Sequence, residues 1–186
     1  MTSAVTLDPQ PQKYGKLIAA LTASDPELMQ TIERQIAARF GDCELASQCF
    51  SFDAFTDYYA PEMGTHLHKK FISFAEMIRL DELPELKHWT NALEQRYAVN
   101  RRRRINIDPG YVTHAQMVLA TTKAYSHRIY LGKGIYAELT YICRNKAFHP
   151  LDWTYPDYRE LLAREFFERV RHLYLQHMRE QGQDLW

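Results

Sequence analysis

Arg103-Arg104-Ile105-Asn106-Ile107-Asp108-Pro109-Gly110-Tyr111 is the stretch on which the fold turns. Its first five residues, through Ile107, read as a strand, because β-branched Ile105 and Ile107 alternate with polar neighbours as a pleated surface requires. Three such runs precede it. Lys16 to Thr22 is a short apolar run suited to a buried strand, Cys43 to Phe52 reads as a second strand and Lys70 to Ala75 as a third. Between the first and second, Ser24-Asp25-Pro26-Glu27 supplies a capping box with proline in the first turn. Leu28, Ile32, Ile36 and Phe40 then recur every four residues, and Gly41 marks the helix end. Between the third and fourth, Leu86, Trp89, Leu93 and Tyr97 mark a second amphipathic helix. The order is βαββαβ, the split βαβ of ferredoxin-like folds.

Downstream, Asp108-Pro109-Gly110-Tyr111 breaks the chain, since Pro-Gly favours the two central positions of a type II turn. A third helix is expected from Thr113, with Gln116 as capping-box partner, carrying Met117, Val118, Leu119 and Ala120 to about Lys123. His127 to Leu131 and Ile135 to Cys143 form two β-rich runs around Gly132-Lys133-Gly134, a hairpin signal, and a short strand through Phe148 follows. The last helix, roughly 159–180, carries Leu162, Phe166, Val170, Leu173 and His177 on one face, with Arg164, Glu168 and Arg171 elsewhere. There is no repeat, low-complexity tract or linker. The expectation is one α+β domain over residues 13–186 behind a flexible lead over residues 1–12, its ferredoxin-like core followed by a helix, a β-hairpin or meander and a C-terminal helix.

Composition narrows the function classes. The chain has 186 residues, 46% of them hydrophobic, and its mean hydropathy is −0.46. No apolar run approaches the ~20 residues a membrane helix needs. The N-terminal residues carry neither the basic start nor the continuous apolar run of a secretory signal. Cys43, Cys49 and Cys143 are odd in number and lack C-x-x-C spacing, which points to reduced thiols in a cytoplasmic protein. With 23 Lys+Arg against 23 Asp+Glu and a pI near 7.1, a globally basic nucleic-acid binder is disfavoured. The zero conceals a segregation: residues 1–100 carry −5, residues 101–133 carry +6 and residues 134–186 carry −1. Asp108 is the sole carboxylate of the middle segment, beside Arg101 to Arg104, Lys123, Arg128 and Lys133. Folded as one surface, that segment attracts anions.

Each candidate residue has a plain reading and a chemical one. Gly132-Lys133-Gly134 is a hairpin turn, since neither G-x-x-x-x-G-K-[ST] nor G-x-G-x-x-G is present. His66-x-His68, shortly after Glu62, is a solvated strand end or a pair of imidazoles for a metal. Arg101 to Arg104 is a solvated face or, leading into a strand, a source of guanidinium forks for phosphate. Asp108 caps its turn, or it holds a metal or accepts a proton. Glu138 is a cross-strand partner for Lys or Arg, or a second metal carboxylate. Lys123 answers a helix dipole and His127 is structural, or both join Arg128 at phosphate oxygens. Trp153-Thr154-Tyr155-Pro156-Asp157-Tyr158 staples the last helix to the sheet, or its aromatic rings stack on a base whose polar edge Asp157 reads.

At these residues the chain resembles a known family. Thr56–Tyr59, Glu62–Gly64, Arg104–Tyr111, Thr121–Lys123, His127–Glu138 and Trp153–Arg159 look like the signature of a bacterial and archaeal domain-of-unknown-function family numbered 4416. Some members of that family carry a GTP-binding label, which implies a purine-nucleotide ligand, although the chain lacks the Walker loop and guanine-specificity motifs of ordinary GTPases. Taken together, the residues lead to the expectation of a protein that binds a phosphorylated small molecule or nucleotide, with metal-assisted phosphoryl or hydrolytic chemistry. Asp108, His127 and Glu138 are the catalytic candidates. Arg104, Lys123, Arg128, Lys133, Tyr155 and Asp157 are the ligand-binding ones, and Asp108 and Glu138 would hold Mg²⁺, the candidate cofactor. An RNA-binding module and a non-catalytic assembly protein are the alternatives, and the oligomeric state is open.

Overall fold

The computed structural model describes residues 14–182. The lead expected over residues 1–12 lies outside them. In chain order the elements are β1 (Tyr14–Ala23), α1 (Pro26–Phe40), β2 (Cys43–Ala46), β3 (Phe50–Ser51), α2 (Ala60–Met63), β4 (His68–Arg79), α3 (Leu83–Arg96), β5 (Ile105–Val112), β6 (Gln116–Thr121), β7 (Arg128–Gly132), β8 (Ile135–Arg144), β9 (Ala147–Pro150), α4 (Pro156–Arg159) and α5 (Leu161–Glu180). The nine strands form one sheet in the order β2-β4-β1-β5-β6-β8-β7, with β3 beside β4 and β9 beside β8. Every pairing is antiparallel.

The βαββαβ order forms the split pairing it implies. β4 lies between β1 and β2, and β1 lies between β4 and β5. Leu17, Ala19, Leu21 and Ala23 of β1 face a core built with Leu28, Ile32 and Ile36 of α1 and Leu83, Leu86 and Leu93 of α3. Ile18 and Ala20 face the other way, against Phe166, Phe167 and Val170 of α5. A strand covered on both faces reads as a continuous apolar run, which is why Leu17 to Leu21 shows no alternation. Burying one Leu or Ile side chain contributes about 1.5–3 kcal/mol, so this central strand anchors both layers. Gly41 ends α1 with φ +82°, as expected, but the cap is Asp25 rather than Ser24. Pro26 takes the first helical turn, and the Asp25 carboxylate accepts from the Glu27 and Leu28 amides at 3.0 and 3.1 Å.

Three expectations about the elements are corrected, and one about a side chain. Cys43 to Phe52 is two short strands, β2 and β3, joined by residues 47–49. The third helix does not exist: Met117 to Ala120 belongs to β6, with Val118 and Ala120 in one core and Met117 and Leu119 in the other. Four consecutive apolar residues suit a doubly buried strand as well as a helix, and the Thr113 and Gln116 pair serves a hairpin instead. The Thr113 amide donates to the Gln116 carbonyl at 2.9 Å, while Thr113 Oγ1 accepts from the Ala115 and Gln116 amides. Lastly, Asp108-Pro109-Gly110 is no turn but the middle of β5. Arg171, expected off the core face of the last helix, is 2% exposed. Its guanidinium donates to the carbonyls of His114 and Lys146 and to Glu168, tying α5 to two turns of the sheet.

Pro-Gly does mark a boundary, though of pairing rather than of the strand. β5 and β6 pair only at Gly110↔Leu119, Tyr111↔Val118 and Val112↔Met117. At Gly110 the strands approach so closely that a Cβ would lie 2.3 Å from the Val118 carbonyl oxygen, so only glycine fits. Pro109 has no amide hydrogen to offer the ladder. Before it, Ile105 to Asp108 pair with β1 alone, whereas β6 runs on to Thr121 paired with β8. The sheet therefore splits between β5 and β6.

Candidate functional site

The split is held open by side chains. Ile107 donates its amide to the Glu94 carboxylate at 2.7 Å, and its carbonyl accepts from Lys87 Nζ at 2.7 Å, so α3 supplies what a neighbouring strand would have supplied. Lys87 and Glu94 are seven residues apart, two helical turns, and so share one face with Asn91. Both are buried, at 5% and 3% exposure. The opening is a cleft of about 630 Å³, within the range of small-molecule sites. It is lined by α3, by Asn106 and Asp108 of β5, by Leu119 to Lys123, by Glu138, by the Phe52–Tyr59 loop and by Tyr155 to Tyr158.

Arg103 is the one member of the arginine run that enters. Its Nε and Nη2 bind both oxygens of Glu62 at 2.8 and 2.7 Å, and Nη1 reaches Glu94 at 3.0 Å and Asn106 Oδ1 at 2.9 Å. Asn106 in turn donates to Asp108 at 2.7 Å, while Lys87 lies 3.5 Å from the other Asp108 oxygen. Two carboxylates on one guanidinium are pushed apart: the Arg103 hydrogen bonds hold Glu62 below the usual range, while burial raises Glu94. Because the Glu62 carboxyl is lowered in the folded state, its contribution is present above its ordinary pKa and lost as pH falls. Glu62→Gln should therefore flatten the loss of thermal stability between about pH 5 and pH 3, read by calorimetry across that range.

On the opposite wall Asp157 and Lys69 form an ion pair at 2.6 Å, each side chain 4% exposed. The Lys69 ammonium also lies over the rings of Tyr158, Phe52 and Phe71. The expected reading of a base edge by Asp157 is thus corrected in part, since one of its oxygens is taken by Lys69. Glu138 is directly opposite Arg128 across β8 and β7, and the pair closes at 2.7 Å. Arg128 also donates to the Lys123 carbonyl and to Tyr155 Oη, so this cation is engaged inside the protein rather than turned to a phosphate. Burial, with Glu138 nearby, pushes the Tyr155 phenol up to about 12, so it stays protonated at neutral pH. His127 Nε2 is 3.9 Å from Glu138, beyond hydrogen-bond reach, and the imidazole stacks on Trp153 outside the cleft lining. Lys123 lies in a turn after β6, not at a helix end, with its ammonium 4.1 Å from the Tyr58 ring centroid.

The structure brings Asp108, Lys123, Glu138, Tyr155 and Asp157 into one cleft, with Arg128 behind Glu138. Arg104 and Lys133 are elsewhere. Arg104 binds Asp25 at 2.7 Å at the start of α1, and Lys133, at the hairpin tip, binds Glu85. The +6 segment is not one anion-attracting surface, because four of its seven cations, Arg103, Arg104, Arg128 and Lys133, find carboxylates contributed by other parts of the chain. Sequence reasoning missed Lys69, Lys87, Glu94 and Asn106 as lining residues, and within the arginine run it singled out Arg104 where the structure places Arg103. The cleft carries four cations, Lys69, Lys87, Arg103 and Lys123, against four carboxylates, Glu94, Asp108, Glu138 and Asp157. Among the described residues no group of three or more His, Cys, Asp or Glu is placed to hold a metal ion, at His66 and His68 or elsewhere. Asp108 and Glu138 share the cleft, and a divalent ion there would draw further ligands from phosphate oxygens.

A family model described as a domain of unknown function, DUF4416, matches residues 13–174. The chain belongs to that family. Comparisons of this DUF4416 member with curated proteins and with solved structures find no match. The matched span of the DUF4416 domain contains every cleft residue, from Phe52 to Tyr158. Among its described residues no helix is long and apolar enough to cross a membrane.

Proposed function

We propose that the cleft binds a phosphorylated small molecule, with a purine nucleotide as the ligand class. The observation that carries this reading is Lys123. Among the described residues it is the one cation lining the cleft with no carboxylate within 4 Å, and it lies against an aromatic ring at the opening. A phosphate would complete it. Tyr58 and Tyr155 offer ring faces for a base, and Asn91 and Gln95, one turn apart on α3, carry amides that make no side-chain hydrogen bond among the described residues. Asp108 and Glu138 are the carboxylates available to Mg²⁺ beside phosphate oxygens, and that ion would supply Lewis-acid chemistry at a phosphoryl group. The three cysteines, all free thiols, suit a reducing compartment, and the reading is of a cytoplasmic protein.

The test is a thermal-shift screen of ATP, GTP, their diphosphates and monophosphates, and sugar phosphates, with and without Mg²⁺. A ligand at 100 times its Kd should stabilise the protein by about 2.7 kcal/mol. Lys123→Ala should weaken the best ligand about tenfold by calorimetric titration, with the unliganded midpoint unchanged, because Lys123 is in no ion pair. Unaltered affinity in that variant would remove Lys123 from the site. RNA binding that falls steeply with salt, in the absence of mononucleotide binding, would favour the RNA-binding reading instead. A stable protein complex without any nucleotide or RNA affinity would favour an assembly role.

A further inference from the structure

Tyr158 forms part of the inner wall of the cleft, is 1% exposed, and its hydroxyl is one of few buried side-chain polar atoms with no hydrogen-bond partner among the described residues. Aromatic neighbours and a cation hold the ring. It stacks on Phe167 at 5.7 Å, lies 5.0 Å from Phe71, and carries the Lys69 ammonium over its face at 4.6 Å, while its backbone carbonyl accepts from Tyr141. A buried donor left unmade is costly and calls for an explanation, and at a cleft wall a group arriving from outside supplies one. We infer that the Tyr158 hydroxyl is the donor that recognises a neutral acceptor atom, such as a carbonyl oxygen or ring nitrogen, on the head group of the ligand, which enters head first and leaves its phosphate at Lys123. This rests on the reading of the cleft as a nucleotide site and assigns that ligand its direction.

Charge fixes the direction. Burial and the nearby carboxylates of Asp108, Asp157 and Glu138 raise the Tyr158 phenol well above its ordinary range, so it donates and does not ionise at neutral pH. Those same carboxylates surround the hydroxyl with negative charge, of which Lys69 answers Asp157 and Arg128 answers Glu138. Lys87 lies 3.5 Å from the third, Asp108, so a phosphate brought here would find every nearby cation already paired, and a neutral acceptor needs none. The second oxygen of Asp157 accepts no hydrogen bond among the described residues, which suits a head group that also carries a donor.

Tyr158→Phe tests this by two readouts. Because the hydroxyl has no internal partner, the unliganded midpoint should stay within about 2 °C of wild type, and a fall of more than about 4 °C would overturn the inference. Calorimetric titration should then use GMP and AMP, each beside its nucleoside. Tyr158→Phe should weaken a nucleotide and its nucleoside by the same factor, about tenfold, whereas Lys123→Ala should weaken the nucleotide alone. Wild-type affinity in Tyr158→Phe, or a loss confined to the nucleotide, would overturn the inference and leave the nucleotide site standing. If the wild type binds none of the four, the head-first direction falls, and the proposed function falls with it where the thermal-shift screen is also empty.

Discussion

Asp157→Ala is expected to lower the folding stability by about 3–5 kcal/mol and the thermal midpoint by roughly 10 °C. The loss comes from what remains. Lys69 keeps its place at the start of β4 with its ammonium enclosed by Phe52, Phe71 and Tyr158, and without the carboxylate it is a buried charge answered by ring faces alone. Cation–π contacts contribute about 0.5–2 kcal/mol, less than the desolvation that the ion pair offsets. Replacing both partners, as in Lys69→Met with Asp157→Leu, should therefore recover most of the loss although two residues are changed. Urea unfolding of the wild type and the two variants distinguishes the cases. A double variant no better than Asp157→Ala would mean that the pair contributes net stability rather than compensating its own burial.

Glu94→Ala should cost about 2–4 kcal/mol, for a different reason. The Glu94 carboxylate stands in for a strand at the Ile107 amide and holds one arm of Arg103. Truncation leaves a buried amide without an acceptor, and the split between β5 and β6 must close on it or admit water. Glu94→Gln keeps an oxygen for the amide and should fall between alanine and wild type. The local signature is amide hydrogen exchange: protection at Ile107 should drop in Glu94→Ala while that of Leu21, opposite it on β1, follows only the global change. Unaltered exchange at Ile107 would show that the amide has another acceptor.

The βαββαβ arrangement of β1, α1, β2, β4, α3 and β5 was legible because two apolar stripes at helical spacing alternate with short β-rich runs. Leu28, Ile32 and Ile36 repeat at helical spacing, and their apolar stripe has one layer to face. Met117 to Ala120 was not legible, since four apolar residues in succession satisfy a buried helix and a doubly covered strand alike. Pro109 and Gly110 carried a true signal whose meaning only the partner strand reveals: a turn and an interrupted ladder make the same demand on the sequence. The cleft was half legible. Asp108, Lys123, Glu138, Tyr155 and Asp157 stood out by charge or by aromatic neighbours, but Lys69 and Lys87 did not, because nothing in the local pattern marks a single lysine as buried. Lys87, Asn91, Glu94 and Gln95 recur at helical spacing on α3, and that polar stripe was the signal available. Segment charge misled in the same way, since Arg104 and Lys133 satisfy carboxylates from distant segments.

The Lys69–Asp157 pair joins residues 88 apart in sequence, and the cleft draws on both sides of that interval. Contacts of such long range form late, because the loop they close must lose its freedom before they contribute anything. A chain that has assembled β1, β4 and their two covering helices has a hydrophobic core but no site. Recognition by the cleft is therefore a property of the finished domain, and a bound ligand would act on the unfolding equilibrium of the whole chain rather than on one loop.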